Sequence, residues 1–354
     1  MIDRKQLVAA LGQIAPALSV EDAIPALSCF CFDGKLVYAW DDRTALILPH
    51  DDNFPSIKGG ILGRVLLDFL THCSHKSVEF TDTGKTVLVK SGRAKMEISK
   101  IGPKEFTWEE PETKKGTTRD LTPKFLAGLS RASVAMGMEE KAGWMFGVTV
   151  LVHDNGYECF ASDNRLVAYA RAGKTDTDPK GYVIPPKFVE HLISISKSDA
   201  AKTITFNDKW VEAKFASGLR LFARTFAKAE PSDYRTMLAQ YMKRDGEVLI
   251  PKNFERSMVK ANLVFDFMVD EKKMVHLDIA DNKLKVTALS EIADVRESMD
   301  IEQPDISVGV DPKQVLRVSG VAQSMSVHKA CLKFSGDGFT YLVGTLVKTK
   351  KKEK

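Results

Sequence analysis

Residues 182–238, YVIPPKFVEHLISISKSDAAKTITFNDKWVEAKFASGLRLFARTFAKAEPSDYRTML, read as one short helix followed by three strands. The helix opens at Pro185-Pro186, where a missing backbone N–H costs no intrahelical bond. Phe188, Val189, Leu192 and Ile195 share one face, with Lys187, His191, Ser194 and Ser198 opposite. The period then changes from 3.6 to 2 at Thr203–Phe206, Val211–Phe215 and Leu219–Ala223, with turns at Asn207-Asp208 and Ser217-Gly218. A helix lying on one face of an antiparallel sheet is the expected product.

The same unit recurs. Gly60 to Ser99 carries Leu62, Val65, Leu66, Phe69 and Leu70 on a helix face and then three alternating runs, at 77–80, 86–89 and 94–98. A third copy starts at Asp311-Pro312 with Val315, Leu316 and Val318, followed by runs at 331–334 and 340–343. Helix starts near residues 61, 186 and 312 give a repeat of about 125 residues, too long for a solenoid unit and right for three similar domains. Half a repeat earlier, each domain carries a first helix: Arg4 to Ile14, the segment opening at Thr122-Pro123, and the segment opening at Pro251. Strands follow these helices at 28–48, 148–169 and 265–301. The expectation is an α+β chain of three repeated domains, each with two helices packed on antiparallel sheets. The boundaries are 1–116, 117–243 and 244–347, with a lysine-rich tail at 348–354.

Composition fits an ordinary globular chain, 44% hydrophobic and 28% charged. No apolar run reaches the length of a membrane span, the charged start Met1-Ile2-Asp3-Arg4-Lys5 is no signal peptide, and a cytoplasmic protein is expected. Five cysteines, with Cys29 and Cys31 alternating along one strand, read as buried thiols in a reducing compartment. A formal charge of +4 permits contact with nucleic acid without producing tight nonspecific binding.

The polar faces of the six helices tilt the same way. Lys124 stands with Arg131, Lys187 with His191, Lys252 with Arg256 and Lys260, and Lys313 with Arg317, while the first domain adds Arg4, Lys5 and Arg64. Asp68, Glu190 and Glu255 interrupt the pattern. Solvation alone accounts for any one such face, but the recurrence over three repeats points to a basic surface suited to a phosphate backbone and blind to base sequence.

Catalytic motifs are absent. Gly84-Lys85-Thr86 lacks the first glycine and the following helix of a P-loop, and Gly59-Gly60-Ile61-Leu62-Gly63 lacks the strand and spacing of a dinucleotide loop. His72-Cys73-Ser74-His75 closes a helix, where imidazoles suit the negative dipole end, and has no second ligand cluster. Asp41-Asp42 and Asp51-Asp52 read as exposed turn carboxylates without an acid partner. No enzyme activity, cofactor or metal is expected.

Several segments resemble the bacterial sliding clamp, the beta subunit of DNA polymerase III. Ser91-Gly92-Arg93 is similar to its first-domain Ser-Gly-Arg segment, and Ala161-Ser162-Asp163-Asn164-Arg165-Leu166 to its Ala-Thr-Asp-Gly-His-Arg-Leu motif with one residue fewer. Asp233-Tyr234-Arg235 resembles its Pro-Asp-Tyr-Arg segment, and Thr340-Tyr341-Leu342-Val343 its last strand. All fall in order over nearly the whole chain. The resemblance implies a head-to-tail dimer forming a six-domain ring around double-stranded DNA, loaded by a clamp loader ATPase and tethering a DNA polymerase.

It further implies a dimer contact between Phe106 and the edge at Leu263 and Val264, and a partner-peptide pocket. The pocket walls would be Met145, Leu166, Met237, Leu342, Val343 and Leu346, with Arg165 and Thr236 at the rim. Trp144 stands where the clamp has an aromatic that touches DNA. There are departures from the pattern: Gly344-Thr345-Leu346-Val347 and a lysine tail replace the Met-Pro-Met-Arg-Leu ending, and Glu21 replaces a basic DNA contact. Such divergence suits a clamp carried by a phage. The competing reading is a monomeric, sequence-independent DNA-binding protein with the same repeats and no ring, and a hydrolase ranks behind both for want of an acid–base pair.

Overall fold

The computed structural model describes residues 1–20, 24–105, 116–138, 145–174, 179–225, 238–239, 246–265, 273–290 and 293–346. Six helices of eight or more residues stand among them: α1 (Arg4–Ile14), α2 (Gly63–His72), α3 (Pro123–Ser133), α4 (Pro186–Ile195), α5 (Phe254–Leu263) and α6 (Pro312–Ser319). All six fall where the 3.6 period places them. The strand expected at 265–269 lies outside the described residues after Phe265.

The chain divides into two units, Met1–Thr122 with Lys187–Ala227, and Pro123–Pro186 with Lys228–Lys354. The first is built on one antiparallel sheet of twelve strands. Its order is Ile2–Asp3, Ser77–Asp82, Thr86–Ser91, Ala94–Ile101, Gly59–Leu62, Cys29–Phe32, Leu36–Trp40, Thr44–Pro49, Arg220–Arg224, Trp210–Phe215, Ala201–Phe206 and Thr117–Asp120. The second is also twelve-stranded. Its main run goes from Lys180–Ile184 through Val148–Val152, Gly156–Ser162 and Leu166–Gly173 to Phe339–Leu346, then Ile306–Val310, Val275–Ala280, Lys283–Leu289 and Asp294–Asp300. Val248–Leu249, Ser324–Val327 and Cys331–Gly336 branch from Phe339–Leu346.

Each sheet therefore runs without a break through a pairing of segments far apart in sequence. In the first unit Ala45 lies opposite Phe222, and in the second Val167 lies opposite Leu342. These pairings join corresponding strands of the repeat, and each unit holds one outer repeat plus half of the middle one.

Helices cover one face of each sheet. α1 buries Leu7, Leu11 and Ile14, and α2 buries Leu66 and Leu70. α3 buries Phe125 and Leu129, and lies so close to the strands that a Cβ on Gly128 would touch Ala170 and Cys159. The opposite face carries its own apolar patch. In the first unit this is Leu27, Cys29, Cys31, Tyr38, Trp40, Ala45, Ile47 and Phe222. In the second it is Leu151, Phe160, Leu238, Cys331 and Leu342, with Val167 and Tyr169 packed against them. All five cysteines are buried and free, and burial pushes the Cys29 thiol up to about 12, which leaves it unreactive.

Candidate nucleic-acid interface and partner pocket

The strand pairing at Thr44–Pro49 is preceded by the turn Asp41-Asp42-Arg43, and that at Leu166–Gly173 by Asp163-Asn164-Arg165. Asp42 and Asn164 hold φ values of 74° and 69°, a left-handed conformation that short polar side chains tolerate. Asp41 Oδ1 accepts from the N–H of Arg43 and of Thr44, and Asp163 Oδ1 accepts from the N–H of Arg165 and of Leu166. The other oxygen of each carboxylate takes a cation from a helix: Lys187 Nζ lies 2.5 Å from Asp41 Oδ2, and Arg317 Nη1 lies 2.8 Å from Asp163 Oδ2. The reading of Asp41 as an exposed turn carboxylate is thus corrected, since its side chain is only 5% exposed and is ion-paired.

The helical cations divide into two groups. Arg4 is spent on the C-terminal end of α2, donating to Leu70 O and His75 O at 2.9 Å each, where a cation meets the negative end of the helix dipole. Arg131 donates to Asp337 O at 2.7 Å and lies 4.4 Å from the Phe339 ring centroid. Lys260 pairs with Glu297. Arg317 also bonds Gln314 Oε1 and Val134 O. Desolvation lowers the pKa of His191, with Lys187 adding to the effect and Asp41 opposing it, so the half-buried imidazole is neutral at pH 7.

Lys5, Arg64, Lys124, Lys252, Arg256 and Lys313 stand exposed. Arg4, Arg131, Lys187, Lys260 and Arg317 are thus engaged with groups of the fold, and His191 is neutral. Trp144 and Glu21 lie outside the described residues, as does the lysine tail.

The residues assigned to the pocket do not share one face. Leu166 lies opposite Val343 and Val167 opposite Leu342, so the pleat turns the first pair toward the helices and the second away from them. Leu166 and Val343 are buried, at 0% and 1% exposure, and are core residues. Leu342 belongs to the other face, where Val167 and Tyr169 are half-buried beside it. Leu151, Phe160, Leu238 and Cys331 are the buried members of that apolar cluster, and the period-2 alternation after Arg165 is the signal that places Val167 and Tyr169 on its face. Met145 and Leu346 are half-buried, Arg165 is exposed with its guanidinium 3.7 Å from Asp311, and Thr236 and Met237 lie outside the described residues.

Beside this apolar face Lys333 is buried with Glu247. Nζ lies 2.6 Å from Oε1, and Ser324 and Ser335 donate to the same carboxylate at 2.9 and 3.0 Å. Burial pushes the Glu247 carboxyl up, but the bonds from Lys333, Ser324 and Ser335 outweigh it and hold it below the ordinary range.

Several strands pair on one side only among the described residues, Thr117–Asp120 and Lys180–Ile184 at the sheet ends included, and two others bear on the repeat. Ala94–Ile101 pairs along most of its length with Thr86–Ser91 but meets Gly59–Leu62 only through Lys100 and Ile101. Asp294–Asp300 pairs with Lys283–Leu289 on one side only. The first edge carries Lys95, Glu97 and Lys100, and the second Asp294, Arg296, Glu297 and Asp300. Of the residues first assigned to a dimer contact, Leu263 is exposed at the end of α5, Val264 is buried at 4%, and Phe106 lies outside the described residues.

No family model matches the sequence. The chain is 22% identical over 297 residues to the beta sliding clamp of Staphylococcus epidermidis, spanning 83% of this chain and 71% of that protein, and 21% identical over the same length to that of Staphylococcus aureus. In structure it resembles the DNA polymerase III beta subunit of Pseudomonas aeruginosa with a TM-score of 0.85 at 16% identity, and the sliding clamp of Bacillus subtilis with a TM-score of 0.82 at 19% identity. Each of these comparisons covers 98% of both chains. The repeated helix-on-sheet units, joined strand to strand, define a sliding-clamp fold. Fold and sequence resemblance together run to the bacterial beta type, the beta subunit of DNA polymerase III.

Proposed function

We propose that this protein is a DNA polymerase processivity factor, a clamp that encircles duplex DNA in the cytoplasm and tethers a replicative polymerase without catalysing a reaction. The observation that carries this reading is the repeated junction. Thr44–Pro49 pairs with Arg220–Arg224, and Leu166–Gly173 with Phe339–Leu346; the corresponding strands left over, Asp294–Asp300 and Ala94–Ile101, each have an open edge. Pairing these edges between copies makes a head-to-tail dimer of six domains, divided in each chain at 1–116, 117–243 and 244–347. The acidic and basic edges complement each other, and pairing covers strand edges that would otherwise invite aggregation.

In this reading Lys5, Arg64, Lys124, Lys252, Arg256 and Lys313, with Trp144, contact the sugar–phosphate backbone. Six exposed cations, one each on α1, α2, α3 and α6 and two at the start of α5, hold DNA weakly and without regard to sequence, as a sliding ring requires. Partner peptides from polymerase and clamp loader dock on the face of Leu342, Val167 and Tyr169, with Arg165, Met145, Leu346, Thr236 and Met237 around it.

The test is retention on DNA. Protein loaded on nicked circular DNA and then washed at high salt should stay bound, and linearising the circle should release it. Equal loss from circular and linear DNA would favour the monomeric DNA-binding alternative.

A further inference from the structure

Resting on the partner-peptide reading, we propose that the docking face on the second unit's sheet continues into a polar cleft, at Arg171 and Thr340, that takes a carboxylate side chain of the docked peptide. The pleat puts the two parts on one surface. Val167 lies opposite Leu342 and Tyr169 opposite Thr340, while Leu342 also lies opposite Lys333 and Thr340 opposite Ser335. Cross-strand partners share a face, and Arg171 follows Tyr169 by two residues, so all of these stand on the side away from the helices.

Arg171, Tyr169, Thr340, Ser335, Lys333 and Glu247 line the cleft. Gly338 lines it too, and its carbonyl accepts the Arg171 backbone N–H at 2.7 Å, which fixes Arg171 beside the opening. The volume is about 120 Å³, room for roughly four water molecules at ~30 Å³ each, which suits a carboxylate on a short side chain. Two of the lining residues are cations and one is an anion. The anion is already satisfied, since Glu247 takes Lys333 and Ser335 on Oε1 and Ser324 on Oε2. Lys333 is matched within that pair, and the charge of Arg171 is left over.

Arg171 is exposed, and its Nε donates to Gly173 O at 3.3 Å. Glu158 stands opposite it in the ladder but is buried with His153, Oε1 lying 3.4 Å from Nε2. Thr340 supplies a second donor. It is 6% exposed, and its hydroxyl bonds no described residue. A buried hydroxyl calls for a partner, and this one lines a cleft beside a guanidinium with no ion pair among the described residues. An anion accepting from both answers the charge and the hydroxyl together.

Val167, Tyr169 and Arg171 recur at every second residue, about 7 Å apart. An extended peptide lying along this strand has the same spacing. Apolar residues at two alternate positions then cover Val167 and Tyr169, and the next alternate position brings Asp or Glu to Arg171.

The test is selection of phage-displayed random heptapeptides on the full-length protein, followed by fluorescence anisotropy with a selected peptide and its copy in which the acid is replaced by the matching amide. Selected sequences should carry two apolar residues at alternate positions and an acid two positions beyond. The amide copy should bind about fivefold more weakly, the upper range of an exposed ion pair, and the gap should narrow at high salt. Arg171→Gln should abolish the difference without changing the affinity of the amide copy, and Thr340→Val should reduce it.

Peptides that carry no acid preference but lose binding in Tyr169→Ala overturn the carboxylate seat and leave the peptide face standing. An acid preference that survives Arg171→Gln also overturns the seat. Selected peptides indifferent to Tyr169→Ala overturn the peptide face itself, and the seat with it.

Discussion

Replacing Glu247 with glutamine should loosen the second unit's sheet more than any surface change. The Lys333 side chain is 2% exposed and that of Glu247 9%, so the ammonium has no route to bulk water when its partner loses charge. Removing one member of such a pair costs about 3–5 kcal/mol, because the remaining charge stays desolvated. The amide side chain of E247Q still bonds Ser324 and Ser335, which confines the loss to the ion pair. Since each 1.4 kcal/mol is a factor of ten, native-state hydrogen exchange of Ser324–Val327 and Cys331–Gly336 should accelerate about a hundredfold or more, if these amides exchange through opening of that region.

The double variant Glu247→Leu with Lys333→Met should recover most of that protection, because it leaves no buried charge behind. The lowered pKa of Glu247 adds a pH signature: the stabilisation is complete above the ordinary carboxylate range and is lost as pH falls through the depressed folded-state value. Acceleration of less than about fivefold in E247Q, or a double variant no better than the single, would refute the reasoning.

The other predictions concern side chains whose burial sets the outcome. Leu342→Ala should act chiefly on stability, by about 2–5 kcal/mol in denaturant titration, because Leu342 is 4% exposed within an apolar cluster; Tyr169→Ala, at a half-buried position, should weaken polymerase-peptide binding in calorimetry with less loss of stability. Neutralising Lys5, Lys124 or Lys252 should each reduce the salt slope of DNA affinity by about 0.9 or less, whereas Lys187→Gln and Arg317→Gln should leave the slope unchanged. His191 has a folded-state pKa below the ordinary imidazole range, so its contribution is complete above the unfolded value and declines as pH falls toward the folded one. His191→Gln should flatten that decline in the pH–stability profile below the ordinary imidazole value of about 6.5, measured by thermal denaturation.

What the sequence showed was whatever local period controls. The helices at Pro186 and Pro312, the strands that follow and the spacing of the repeat all depend on residues near one another, and they lie where expected. The pairing partner of a charge is set by chain far away. Arg131 reaches Asp337 and Arg317 reaches Asp163, so a cationic helix face says nothing of what stands across from it. Motif matching failed at the pocket for a related reason: it gathers neighbours such as Leu342 and Val343, and a strand sends neighbours to opposite faces. The recurrence of an aspartate two residues before an arginine, at Asp41 and Asp163, was legible, but its meaning required seeing the helix that each carboxylate faces.

The long-range ladder between Thr44–Pro49 and Arg220–Arg224 also bears on how the chain is made. About 170 residues must leave the ribosome after Pro49 before its partner strand exists, which at ~5–20 residues per second is on the order of ten to thirty seconds. For that time an apolar strand edge, with Leu46 and Ile47 beside it, has no native mate. Slow synthesis, crowding or a truncated message would extend the exposure, so the nascent first unit is the stage at which this protein most needs a chaperone.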